Sequence, residues 1–256
     1  KIDSSGRVLI GTETEGEASA DDLTIANSGD CGLTIRSGTS SKGKIFFSDG
    51  TTGLNESRGY VQYEHTDNVL RFGTDAVEAA RFDSSQRLLV GTTSSRSTAG
   101  TGADLQVETT DAGGRISVVQ NRNDATACPF VVIGKSRGTS IGSNTVLQDD
   151  DRIGAIVFAG ADGTDMGADA ARIIAEVDGT PGSNDMPGRL IFSTTADGSD
   201  SATERLRIDS SGRMGLGTNS PDSYVGGGDN FVIAGSGDAG MTIATGTSNS
   251  GTINFA

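Results

Sequence analysis

The chain has 256 residues, 34% of them hydrophobic and 5% aromatic, with 38 glycines and no tryptophan. So many turn formers and so few bulky side chains argue against a compact enzyme and for short elements joined by tight turns. The formal net charge of −14 repels polyphosphate and argues against a nucleic-acid partner, and the longest strongly apolar run, Ile153–Gly160, is far too short to cross a bilayer.

The first element, KIDSSGRVLIGT at Lys1–Thr12, reads as a β-hairpin, and it recurs as ARFDSSQRLLVGT at Ala80–Thr92 and RLRIDSSGRMGLGT at Arg205–Thr218. In each, an apolar residue (Ile2, Phe82, Ile208) leads into Asp-Ser-Ser, an arginine follows (Arg7, Arg87, Arg213), and Gly-Thr closes the unit. Aspartate suits the first turn position because its carboxylate accepts a nearby backbone N–H, and glycine at the fourth supplies a left-handed residue. Gln86 occupies that fourth place in the middle copy, so its turn is expected to differ or to carry strain. The ninth position, Leu9, Leu89 or Gly215, is expected to face outward or to be closely approached. The three arginines are expected to pair with carboxylates of a neighbouring strand or chain.

Next along the chain, Asp22–Phe47 returns as Asn230–Phe255, with 14 of the 25 positions from Leu23 to Phe47 identical. This is duplication. Apolar residues two apart, at Leu23/Ile25, Leu33/Ile35, Ile45/Phe47, Val61/Tyr63, Leu70/Phe72 and Leu88/Val90, recur near every ten residues with Gly, Ser, Asn and Asp between them. That spacing is the all-β signature. The second copy keeps the pairs as Phe231/Ile233, Met241/Ile243 and Ile253/Phe255, so the apolar parity marks a face that the repeat preserves. Ala76–Phe82 is alanine-rich and reads as possible helical turns, whereas Ile173, Ala175 and Val177 in Gly167–Val177 fit a strand.

The repeats divide the chain into a β module at 1–80, a longer one at 81–206 and the start of a third at 207–256, which reads as a slice of a longer polypeptide. Two inward residues per strand give roughly 1.5–3 kcal/mol for each fully buried Leu or Ile, against about 1–2 kcal/mol of backbone entropy per ordered residue. Such modules do not stand alone. They are expected to stack along an axis and to wind with identical chains that cover bare faces and edges.

The stretches Arg189–Pro221, NSGDCGLTIRSGTSSKGKIFFSDG (27–50) and 121–163 resemble a repeat of tail fibres and other appendage proteins of tailed bacteriophages, especially those of marine bacteria. The resemblance covers most of the chain. It implies an elongated all-β fibre shaft of repetitive hairpin modules, homotrimeric, outside the cell on the virion. There the chain would hold a distal receptor-binding tip, with other tail or baseplate proteins and a host receptor as partners beyond this segment. A cellular β-solenoid adhesin and a tailspike-type polysaccharide depolymerase are the alternative readings.

No catalytic, cofactor-binding or metal-ligating residue is expected. Gly38–Ile45 matches a phosphate-binding loop except that Ile45 stands where Ser or Thr belongs, and it leads into a strand pattern rather than a helix. Asp162–Asp165, Asp197–Asp200 and Asp149–Asp151 read as acidic turns, since calcium needs six to eight oxygens and the calcium β-roll nonapeptide is absent. Glu176, Asp178 and Glu204 are the carboxylates a glycosidase would draw on, but the aromatic platforms of a sugar groove are scarce. His65 has no nucleophile or acid placed to suggest a triad. Cys31 and Cys128 share no metal-binding spacing and are expected to be buried free thiols.

Overall fold

The computed structural model describes residues 1–110, 113–224 and 227–244; the pair Ile253/Phe255 lies outside them. The protein is all-β with open sheets, in two compact units: Lys1–Ser94 with Asp104–Gly114, and Ser95–Ala103 with Arg115–Ala256.

The first unit opens on a parallel pair, β1 (Val8–Ile10) and β2 (Leu23–Ile25), with Val8 opposite Leu23. A six-stranded sheet follows in chain order: β3 (Lys42–Phe47), β4 (Gly59–Glu64), β5 (Val69–Thr74), β6 (Val77–Phe82), β7 (Leu88–Val90) and β8 (Leu105–Val107). All neighbours run antiparallel except β7 and β8, which are parallel. The second unit repeats this plan with β9 (Arg152–Gly160), β10 (Ala168–Val177), β11 (Gly188–Thr195), β12 (Ala202–Ile208), β13 (Met214–Leu216) and β14 (Phe231–Ile233). Here too only the last pair is parallel. The pair β1–β2 matches the closing pairs β7–β8 and β13–β14.

The three Asp-Ser-Ser turns share one set of hydrogen bonds. The carboxylates of Asp3, Asp83 and Asp209 accept from the backbone N–H two residues on and from both the backbone N–H and Nε of the arginine. Gln86 makes the same turn as its glycine counterparts, at φ 66° against 84° for Gly6 and 80° for Gly212. The middle turn therefore has the shape of the others and carries the steric cost of a side chain in the left-handed region. The arginines pair first with the aspartate of their own turn; Arg7 adds Asp21 and Arg213 adds Asp229 from a neighbouring segment.

The ninth position does not face outward. Leu9 and Leu89 are buried, and a Cβ on Gly215 would lie 2.7 Å from the Thr218 carbonyl and 3.5 Å from Pro221, whose fully buried ring fills the space the leucines occupy elsewhere. The glycine of each Gly-Thr is fixed by its surroundings. Gly11, Gly91 and Gly217 have φ near 75°, and a Cβ there would sit 2.1–2.3 Å from the carbonyl oxygens of Ala26, Glu108 and Ala234 on the parallel partner strand's exit.

Two expectations need correction and one holds. Ala76–Phe82 is not helical: Asp75 and Ala76 have φ of 50° and 61°, a two-residue hairpin turn whose twist suits the flanking strands, and Val77 onward is strand β6. The pairs Leu33/Ile35 and Met241/Ile243 lie in no strand. Residues 168–177 are a strand, as their period-two pattern implies.

Candidate functional site

Residues directly opposite in these ladders share a face, and alternate residues take the other. In the first sheet one face carries Ile45, Phe47, Val61, Tyr63, Leu70 and Phe72 from β3–β5, and continues through Ala80, Phe82, Leu88, Val90, Leu105 and Val107 to β8. It holds no charged residue. In the second sheet the matching face carries Ile156, Phe158, Ile173, Leu190, Phe192 and Leu206, and continues through Ile208, Met214, Leu216, Phe231 and Ile233. These faces are bare in the single chain: Phe47 is 61% exposed, and Ile156, Phe158 and Phe231 are each 52% exposed.

The opposite faces are charged, yet they hold most of the buried side chains. Val69, Leu89, Ile174, Ile191 and Val232 are buried there, beside buried Gln62, Glu176 and Ser193. Ionic side chains cover them. In the first sheet Lys42 pairs with Glu64 at 3.3 Å, Glu64 with Arg71 at 2.6 Å and Arg71 with Glu78 at 3.4 Å, while Arg81 Nη2 donates to Glu78 at 2.8 Å. In the second, Glu176 takes Arg152 at 3.1 Å and Arg189 at 2.6 Å, Arg189 reaches Asp178 at 3.1 Å, and Arg207 pairs with Glu204 at 2.6 Å. The Glu78 and Glu204 hydrogen bonds hold the Arg81 and Arg207 guanidinium groups above their usual pKa range.

A bulge in each sheet makes the Glu-x-x-Arg pair possible. Residues three apart on a regular strand point to opposite faces. The register slips between Phe72 and Gly73 against β6, and between Phe192 and Ser193 against β12, leaving Ala79 and Arg205 as the extra residues. Glu78 then shares a face with Arg81, and Glu204 with Arg207. The carbonyls of the bulged residues accept from Gly91 and Gly217 at 3.2 and 2.8 Å, so the bulge also anchors the Gly-Thr turn.

At the rim of each apolar face an extended segment delivers one isoleucine. Ile35 lies 3.5 Å from where a Cβ on Gly43 would be, and Ile133 stands 2.2 Å from the same point on Gly154, so a side chain at 154 would displace it. Two matching apolar grooves result. One is lined by Ile35, Ile45, Val61 and Leu70, the other by Ile133, Ile156, Ile173 and Leu190. The period-two pattern pointed to these faces, whereas the bulge-borne charge pairs left no periodic signal.

The structure disperses the chemically suggestive residues. Gly38–Ser41 is a turn leading into β3, and Lys44, the lysine of the loop pattern, lies on that strand with its ammonium over the Phe46 ring, 5.2 Å from the ring centre. Asp162 caps its own turn by accepting from Thr164 and Asp165. Asp149 accepts from Gly179, Asp150 pairs with Arg189, and Asp151 pairs with Lys135 and Arg137. Glu176 and Glu204 line one cleft on the charged face, each tied to arginine. Burial pushes the Asp178 carboxyl upward, but donors from Ser210 and Arg189 outweigh it and leave the pKa lowered, the state of a fixed anion rather than a proton donor. His65 sits edge-on to Tyr63, ring centres 5.0 Å apart. Cys31 and Cys128 are free but exposed, correcting the expectation of buried thiols, because the extended segments that carry them are uncovered in one chain.

No family model and no curated protein matches the sequence. Among solved structures the chain shares its fold with the carboxy-terminal domain of the bacteriophage T5 L-shaped tail fibre. The TM-score is 0.60 at 15% identity over 93% of this chain and 100% of that one. The same T5 domain solved with its intramolecular chaperone domain matches with a TM-score of 0.60 at 16% identity, over 91% of this chain and 68% of that one. No helix among the described residues is long and apolar enough to cross a membrane.

Proposed function

We propose that the chain is a shaft segment of a phage tail fibre or similar virion appendage, a homotrimer that holds a distal receptor-binding tip for host attachment and performs no catalysis. The observation that carries this reading is the bare apolar face on both sheets. Side chains of core type stand open there, Phe47 at 61% and Ile156, Phe158 and Phe231 at 52% each, so association with copies of itself is the natural cover. The fold shared with the T5 tail-fibre domain supports the virion setting. In this reading other tail or baseplate proteins and the host receptor engage regions outside this segment.

The antiparallel meander, in which successive strands are neighbours, favours a fibre module over the coils of a solenoid adhesin. Arginine-locked carboxylates disfavour a depolymerase. Immunogold microscopy with antibodies raised against the chain, applied to particles that encode it, tests the placement. Label on the appendage is expected; label on the capsid alone, or reducing-sugar release from host capsule by the purified chain, overturns the reading.

A further inference from the structure

Between β8 and β9, residues 115–134 hold two apolar runs, Ile116–Val119 and Phe130–Ile133, in no strand. Ile116, Val118, Phe130, Val131 and Val132 are exposed, Val132 at 86%. Among the described residues, no backbone group of either run bonds to another backbone group. A run of successive apolar residues has the composition of a strand covered on both faces. Its N–H and C=O groups need partners if apolar surface is to cover it. Its end is seated in this chain, where Ile133 meets Gly154 on the apolar face of β9.

We infer that Phe130–Ile133 of one copy docks on a second copy of this chain, its side chains against the partner's apolar sheet face and its backbone paired with a strand edge. The inference rests on the oligomeric reading above. A second copy is the occupant because each chain carries both the unpaired apolar run and the bare face, so one heterologous contact repeated round a ring satisfies both. The exposed side chains of the apolar faces, Ile45, Phe47 and Phe72 in one sheet and Ile156, Phe158 and Phe231 in the other, supply the surface for such an interface.

Hydrogen–deuterium exchange with mass spectrometry on the 256-residue chain, alongside its mass by light scattering, tests this. In the assembled protein, amides of 130–133 are expected to exchange at least about 100-fold more slowly than unpaired amides. Fast exchange in an intact oligomer overturns the inference while leaving the trimer standing. A monomer overturns both, and protection within a monomer shows the chain covering its own segment. Val132→Asp is expected to weaken assembly at least about tenfold, whereas Val132→Ile assembles as the parent does. Unchanged assembly of Val132→Asp counts against the inference, and if that variant does not fold, exchange in the parent chain still decides.

Discussion

The sheets β3–β8 and β9–β14 share strand order, bulge position and an uncharged apolar face, yet their other faces have diverged. Along one matching row the first sheet places Lys44, Gln62, Arg71, Arg81, Leu89 and Gln106 where the second places Ala155, Ile174, Ile191, Arg207, Gly215 and Val232. Only the arginine of the Glu-x-x-Arg pair is common to both. The face that tolerates change is the one the chain covers with its own side chains and loops. The face that keeps its chemistry is the one left open. A preserved and uncovered apolar surface marks where something else binds.

The largest difference is expected between two glycines of one repeat. Gly91 combines φ 75° with a Cβ position 2.3 Å from the Glu108 carbonyl, whereas Gly6, at φ 84°, has open space beyond it. Gly91→Ala is expected to cost about 3 kcal/mol or more, because backbone must move, and Gly6→Ala about 1 kcal/mol from conformation alone. Thermal unfolding of the two variants measures this; equal losses would mean that the parallel closing strand is not held as described.

Charge removal separates the two sheets next. Glu78 stands between Arg71 and Arg81, which lie directly opposite each other on β5 and β6, while among the described residues Glu204 pairs with Arg207 alone. Glu78→Gln leaves two facing guanidinium groups and is expected to cost about 2 kcal/mol, against about 1 kcal/mol for Glu204→Gln at this partial exposure. Denaturant unfolding of both variants gives the ranking, and a larger loss for Glu204→Gln would refute the ladder.

Acid is expected to act on the second unit through a pair the first lacks. Asp151 is held well below the ordinary carboxylate range by Arg137, with the Gln148 N–H and Lys135 adding to it; its register counterpart in the first sheet is Ser41. A depressed folded pKa lends stability that is complete above the unfolded value of about 3.9 and is lost as pH falls through the lowered one. Calorimetric melting temperature is therefore expected to fall below about pH 4, and less steeply in Arg137→Ala. An unchanged slope in that variant would exclude Asp151 as a contributor.

The smallest effect belongs to the turn with a side chain in the left-handed region. Gln86→Gly is expected to raise stability by about 0.5–1 kcal/mol, since the strain at φ 66° goes and the hydrogen bonds of Asp83 stay. A destabilised variant would show that Gln86 makes a contact worth more than its strain.

Much of this was legible in the sequence. Pairs such as Ile45/Phe47 and Leu70/Phe72 set strand and parity, and Asp-Ser-Ser with Gly-Thr set the hairpins. What was not legible has physical causes. Alanines 76, 79 and 80 signal helix by propensity, but Asp75 and Ala76 turn left-handed and Ala79 bulges, all decided by pairing with β5. The ion-pair ladder was hidden because the bulge breaks period two between Glu78 and Arg81. Leu33/Ile35 has strand periodicity without a strand, since periodicity reports burial wanted rather than a partner present. The parity marked a face to be covered and could not say that the single chain leaves it bare.

Light scattering or sedimentation equilibrium on the recombinant 256-residue protein weighs that last point most directly. Three times the chain mass of 26.0 kDa is expected, with the aromatic and aliphatic side chains of β3 and β9 shielded from solvent. A monodisperse 26.0 kDa species that melts in one cooperative transition would contradict it.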